Sequence, residues 1–489
     1  MIQSSLKQKT IHALFWSFFE SAGLQSVRFV VGIVLARLLF PAQFGLIGML
    51  MIFMAVAQSF LDSGFGAALI QKREATLTDT CSIFYFNIGV GLAAAGLLCM
   101  VAPWIAVFYN QPILTPLTRA LSLTIVINSF GLIQNTILTK QVDFKTQAKV
   151  SLIASALSGI IGVSMAATGF GVWSLAVQQI SSTFFRTVFL WLLNGWRPAP
   201  IFSLKSLREM FGFGSRLLAS GLLNQIFDNI YLLVIGKLFS ATDLGFFTRA
   251  QTLREVPSKT LSEMVGRVTF PVFSTIQDDP ARLKKGMKKA LTTLVLVNFP
   301  MMIGLAVIAR PLVLVLLTEK WTESIPYLQL LCLVGLLFPL HVINLNLLQA
   351  LGRSELFLRL EIIKKILIVI NIAVTVRWGI SAMIYGMIGT SIISYYLNSY
   401  YTWILIGYSI REQLRDLSSY LIMAVLMGVA VYAAGLLPFR NLWSMLLVQI
   451  TIGIVIYVGL CRLFRPSAFM EIWQMGWNKM QFLKAGITG

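Results

Sequence analysis

Charge is what this chain lacks most. Only 12% of its 489 residues are charged, 57% are hydrophobic and the mean hydropathy is +0.80. Soluble domains carry about 25% charge, so a cytosolic globule is excluded. Acids are scarcer still, 19 Asp+Glu against 39 Lys+Arg, which leaves a net charge of +20. In so apolar a chain that excess points to cytoplasmic loops and anionic headgroups, not to nucleic acid. Cys81, Cys99, Cys332 and Cys461 have no CxxC spacing, and His12 and His341 have no ligand partner pattern, so neither a metal site nor a disulfide framework is expected. H-E-x-x-H, G-x-S-x-G and Walker A motifs are missing, and the longest loop, 194–210, is too short for a catalytic domain. ATP hydrolysis and other enzymatic activity are therefore not expected, and no cofactor is implied.

What is present is a succession of apolar runs. A membrane helix needs about 20 such residues, because its backbone polar groups must be satisfied internally. Runs near 14–38, 44–69, 81–108, 115–138, 148–168, 172–193, 211–236, 247–275, 290–317, 325–350, 359–376, 379–406, 418–437 and 441–461 predict an all-α membrane protein of about fourteen spans. The first run carries Glu20 and Arg28 and has no small-residue cleavage site, so it reads as a retained helix, not a signal peptide. The eighth run is rich in charge, and topology decides for keeping it. With every run crossing and the N-terminus inside, 25 of the 39 Lys+Arg fall on inner loops, 4 on outer loops and 10 within runs. Dropping the eighth crossing would place the Arg353 to Lys365 cluster outside, against the positive-inside rule. Both termini are accordingly predicted to be cytoplasmic.

An offset of 200 residues aligns Val34-Leu35-Ala36-Arg37-Leu38 with Val234-Ile235-Gly236-Lys237-Leu238, Gly45 with Gly245, and Arg28 with Asp228. An even number of crossings separates the copies, so they run in the same direction, as in transporters built from parallel repeats. The expected organisation is a six-helix lobe over 1–200, a second over 201–410, two further helices over 411–465 and a cytoplasmic tail over 466–489.

Basic residues within the runs carry the chemistry. Each arginine at the bilayer centre costs about 2.5–3.5 kcal/mol on insertion scales, so they cannot all face lipid. Those near a run's end can snorkel; the rest should line protein or a wet cavity. The set expected to bind substrate is Arg28, Arg119, Arg186, Arg216, Arg249 and Arg254. Glu20, Asp62 and Asp228 are intramembrane acids suited to proton or sodium coupling, or to pairing with an arginine. Glu255, Lys259, Glu263 and Arg267 are spaced four apart with each Glu preceding its base, the favoured order for a structural ion-pair ladder. The planar guanidinium fork suits phosphate oxygens, so a pyrophosphate headgroup is the natural anion.

Several stretches carry a family resemblance. Leu38-Leu39-Phe40-Pro41-Ala42-Gln43-Phe44-Gly45 and Asp62-Ser63-Gly64-Phe65-Gly66-Ala67-Ala68-Leu69-Ile70-Gln71 resemble the first two helices of bacterial polysaccharide exporters. Phe270-Pro271-Val272-Phe273-Ser274 with Ile276-Gln277-Asp278-Asp279, and Ala350-Leu351-Gly352-Arg353, do so as well. Over nearly its whole length the chain resembles Wzx-type lipid-linked oligosaccharide flippases, in the colanic acid and teichuronic acid exporter branch of the multidrug/oligosaccharidyl-lipid/polysaccharide superfamily. The resemblance implies two six-helix lobes around a central cavity in a bacterial cytoplasmic membrane, with two extra helices. It also implies transport of a sugar repeat unit on undecaprenyl diphosphate to the outer leaflet, among membrane lipids and beside polymerase and export machinery. Arg28 and Arg254 lie on helices that supply diphosphate-binding arginines in related lipid II flippases. Rival readings are the lipid II flippase itself, a drug/cation antiporter, whose substrates would want an acidic or aromatic cavity, and a membrane glycosyltransferase.

Overall fold

The computed structural model describes residues 22–474 except 63, 73 and 472, and the backbone alone at 213, 216, 259, 260, 263, 264 and 267. Glu20 lies outside the described residues. Among the described residues every regular element is a helix, as hydrocarbon requires when backbone groups have no water to bond. Among the described residues, nine helices are long and apolar enough to cross a membrane, and ten if the bent pair Leu217–Asp228 and Ile230–Leu238 counts as one span.

Helix ends follow local chemistry. Thr76 and Asp79 form a reciprocal capping box at the start of one helix. Asp279 accepts hydrogen bonds from the Ala281 and Arg282 amides beside Pro280. That helix begins ten residues before the apolar run because Lys284, Lys285, Lys288 and Lys289 form a polar extension beyond it. Breaks at Gly64, Asn229 and Ile308 divide what apolarity alone reads as single runs. At Gly64 the left-handed backbone (φ 70°) favours glycine, and an added Cβ would fall 2.6 Å from the Gly214 carbonyl oxygen. The Asp-Ser-Gly-Phe element thus marks a break where two backbones meet.

The chain divides into two compact units, Met1–Thr248 and Arg249–Gly489. The first holds α1 (22–38), α2 (Pro41–Asp62), α3 (Phe65–Gln71), α4 (Leu77–Tyr109), α5 (Leu114–Lys140), α6 (Phe144–Ala167), α7 (Val172–Leu193), α8 (Leu204–Asp228), α9 (Ile230–Leu238) and the first turns of α10 (Ala241–Thr275). α5 is its hub, touching α2, α3, α4, α6 and α7. Apolar clusters at Phe65, Ile83, Phe84, Ile133 and Leu207, and at Leu61, Ala95, Leu98 and Ile125, fill the spaces around it.

The second unit holds the rest of α10, then α11 (Pro280–Val307), α12 (Ala309–Leu316), α13 (Ser324–Ala350), α14 (Ser354–Thr375), α15 (Ile380–Ile406), α16 (Ile410–Gly435) and α17 (Leu442–Phe464). Leu291, Val295 and Phe299 of α11 pack with Leu340, Ile343 and Leu347 of α13 and with Met423, Ala424 and Met427 of α16. The last two helices dock onto this core. Tyr457 donates to the Leu296 carbonyl at 2.8 Å, Lys284 and Lys288 pair with Glu412 and Asp416 at 2.8 Å each, and Lys289 pairs with Glu471.

The 200-residue offset recurs in space. α1 ends at 38 and α9 at Leu238; α2 starts at Pro41 and α10 at Ala241. The Phe40 amide donates to Gln43 and the Ser240 amide to Asp243, so both starts are capped alike. The two starts then cross with almost no space between backbones. An ideal Cβ on Gly45 would lie 1.7 Å from the Ala241 carbonyl oxygen, and one on Gly245 would lie 1.9 Å from the Pro41 carbonyl oxygen. That reciprocity is a local two-fold relation between the aligned segments.

Either G45A or G245A should lower the melting temperature of the purified protein, because overpacking a tight contact costs about 1–3 kcal/mol. G89A and G96A, where an added Cβ meets nothing within 4 Å, are the controls and should not destabilise. Equal melting for all four variants would contradict a tight crossing.

Candidate functional site

α5 and α7 are locked in register by side chains that reach across to backbone. Thr187 donates to the Ile127 carbonyl at 3.2 Å, Trp191 to Phe130 at 2.9 Å and Asn194 to Gln134 at 3.0 Å. Gly131 permits the approach, since a Cβ there would lie 2.9 Å from the Thr187 hydroxyl. This register delivers Arg186, whose Nη2 donates to Asn135 Oδ1 at 3.3 Å. α1 is fixed on the other side, with Leu35 and Leu39 against Ala166 and Leu175 and with Val31 over Gly159. Arg28, Val31 and Leu35 stand on one helical stripe (i, i+3, i+7), so the packing that seats α1 also directs Arg28.

Arg186 is within Coulomb range of both Arg28 and Asp62. Asp62, at the end of α2, accepts a hydrogen bond from Gln58 at 3.1 Å. All three charged groups are exposed, not sealed among apolar side chains. Among the described residues, four helices of one unit thus bring together two guanidiniums, one carboxylate and two amides. Arg186 lies seven residues, about 10 Å, from the end of α7, and Asn135 five residues, about 8 Å, from the end of α5. Asn194 at the end of α7 bonds the carbonyl of Gln134, next to Asn135, and Asp62 ends α2, so the cluster gathers where α2 and α7 terminate.

The other expected residues fall elsewhere. Arg119 is exposed near the start of α5, sixteen residues and about 24 Å of helix from Asn135. In the second unit, Arg249 stacks over the Trp321 ring at 5.6 Å. Arg254 is 7% exposed, pairs with Glu255 at 3.7 Å and lies against Gly335, where a Cβ would come within 3.0 Å of its Cδ. Glu255 also accepts from Gln251 at 2.8 Å. Much of the Arg254 charge is therefore answered inside the protein. Asp228 closes α8 at its bend. The side chains of Arg216, Lys259, Glu263 and Arg267 lie outside the described residues, so of the ladder only Glu255 is described.

A family model described as "Polysaccharide biosynthesis protein" matches residues 34–326. The chain belongs to this family. The lipopolysaccharide biosynthesis protein WzxC of Escherichia coli (strain K12) is 28% identical over 441 residues, 88% of this chain and 89% of the relative. The teichuronic acid biosynthesis protein TuaB of Bacillus subtilis (strain 168) is 31% identical over 303 residues, 61% and 62% of the two chains. Among solved structures, the lipid II flippase MurJ in an inward closed conformation superposes with a TM-score of 0.77 at 15% identity, covering 93% of this chain and 98% of its own. An inward-facing multidrug resistance MATE transporter of the MOP superfamily gives 0.63 at 17% identity, over 78% and 94%. This polysaccharide biosynthesis protein is thus a multi-span membrane protein with the MOP transporter fold.

Sequence reading of this family member missed the amides. Asn135 and Gln58, which hold Arg186 and Asp62, are polar residues inside apolar runs, and that is the signal that could have found them. The cluster's electrostatics give a direct expectation. D62N removes the carboxylate and should tighten pyrophosphate binding severalfold, with a steeper loss at high salt. Calorimetry on the purified protein measures this; unchanged or weaker binding would contradict a cationic anion site.

Proposed function

We propose that this protein flips undecaprenyl-diphosphate-linked oligosaccharide repeat units across a bacterial cytoplasmic membrane, for exopolysaccharide, capsule, O-antigen or teichuronic acid synthesis. The observation that carries this reading is the approach of two guanidiniums, Arg28 and Arg186, with Asp62 within Coulomb range of Arg186, in one helical unit. Two neighbouring guanidiniums in such a place suit a doubly charged phosphate, which a guanidinium binds bidentately. Family membership and the fold shared with a lipid II flippase support the same class of substrate.

In this reading the fold has fourteen crossings with both termini cytoplasmic, two six-helix lobes over 1–200 and 201–410, and two added helices. The arginine cluster then lies toward the cytoplasmic side, where the sugar lipid is made, and transport proceeds by alternating access. The isoprenoid tail stays in lipid, which avoids about 0.8 kcal/mol for every CH₂ exposed to water. An ion gradient, of protons or sodium, supplies the energy. Polymerase and export machinery receive the flipped product.

The test is transport of a fluorescent undecaprenyl-diphosphate-linked sugar in proteoliposomes. R28Q and R186Q should each slow it about tenfold or more, since a charge-assisted hydrogen bond contributes about 1.5–3 kcal/mol, while melting temperature stays near that of the parent. Undiminished transport in both variants would overturn the site. Rescue of a strain depleted of its lipid II flippase would assign the substrate to lipid II, and drug efflux without lipid transport would assign the antiporter reading.

A further inference from the structure

The second unit contains a polar seam that the arginine cluster does not use. Ser391, Tyr395, Asn398 and Thr402 are spaced four, three and four along α15 and share one face. They meet His341 and Asn344 of α13, nine and six residues from that helix's end. His341 Nε2 is 3.0 Å from the Ser391 hydroxyl, and the Asn398 amide nitrogen is 3.1 Å from His341 Nδ1. With the Asn398 amide nitrogen turned toward the ring, Nδ1 is the acceptor and Nε2 carries the hydrogen. The packing therefore satisfies a neutral ring.

Asn398 has a second feature. It is 0% exposed, and its Oδ1 has no hydrogen-bond partner. Leaving a buried carbonyl oxygen unmet is costly. Rotating the Asn398 amide by half a turn brings that oxygen against Nδ1, where it could accept a hydrogen from a protonated ring. Ser391 can meanwhile continue to accept from Nε2. His341 and Ser391 retain part of their surface in the open, so a proton can reach the ring while Asn398 stays sealed behind it.

We propose that His341 and Asn398 form a one-proton site that couples transport to a proton gradient, the amide turning over as the proton arrives and leaves. This rests on the transport reading above and names its ion. One proton is taken up at Nδ1 from one side of the membrane and released from it to the other in each cycle. The groups facing the ring are few. Tyr395 stands edge-on at 6.2 Å, and Lys364 of α14 is within Coulomb range but is paired with Glu361 at 2.5 Å. α11 brings no titratable side chain between Leu291 and Val307, α12 carries Arg310, and α10, which passes α13 at Gly266 beside Val342 and Asn346, bears Lys259, Glu263 and Arg267. From Tyr395 and Ser399 the seam continues through Gln413, whose amide donates to the Tyr408 carbonyl, and through the Tyr408 hydroxyl to Asp416 and half-exposed Lys288.

The experiment uses the full protein in vesicles, the fluorescent undecaprenyl-diphosphate sugar as probe and a trapped pH dye. A gradient of one pH unit should accelerate wild-type transport by up to about tenfold, with matching proton movement. H341Q keeps polar contacts but binds no proton, and should move the probe at one rate with or without the gradient. N398L, which has no acceptor, should lose the response as well, and N398D, which supplies one, should keep it. If H341Q does not fold, the N398L and N398D pair decides. A full response to the pH gradient in H341Q or N398L, or a wild type driven by sodium alone, would overturn the proton site. A wild type that moves no probe under any gradient would overturn the transport reading itself.

Discussion

A guanidinium on a membrane helix cannot be left facing hydrocarbon, because it keeps its charge, so it must be met by protein groups, water or a ligand. Arg186 is met in part by the Asn135 amide and in part by Asp62, and Arg28 stands within range of the same group. Much of the first unit serves to hold this arrangement: the α5 and α7 register set by Thr187, Trp191 and Asn194, and the seating of α1 through Val31 on Gly159.

The two units treat arginine differently. Arg28 and Arg186 lie within Coulomb range of each other and remain exposed, whereas Arg254 is buried beside Glu255 and under Gly335. An ion pair closed within the protein offers less to a ligand than an open pair of like charges. That contrast, more than the number of intramembrane arginines, singles out the first unit for headgroup binding.

Much of the architecture was legible in the sequence because lipid allows so few solutions. The run at 172–193 became α7 residue for residue, and 379–406 differs from α15 by one residue. The offset aligning Gly45 with Gly245 reappears locally as a reciprocal backbone contact. Apolarity could not reveal the breaks at Gly64, Asn229 and Ile308, which depend on backbone conformation and on neighbouring helices. Nor could it group the arginines: Arg28 and Arg186 are far apart in sequence, and Arg119 shares a helix with Asn135 yet stands about 24 Å from it. Which cations converge is decided by helix register, and register is set by hydroxyls, amides and glycines that composition passes over.

The central claim is that a phosphorylated lipid head rests on Arg28 and Arg186. The most direct measurement is a cryo-electron microscopy map of the protein in lipid nanodiscs with undecaprenyl diphosphate, compared with a map without it. The account predicts added density for two phosphates within hydrogen-bond distance of both guanidiniums, beside Asn135. Phosphate density confined to the basic helix ends, with Arg28 and Arg186 unchanged, would contradict it.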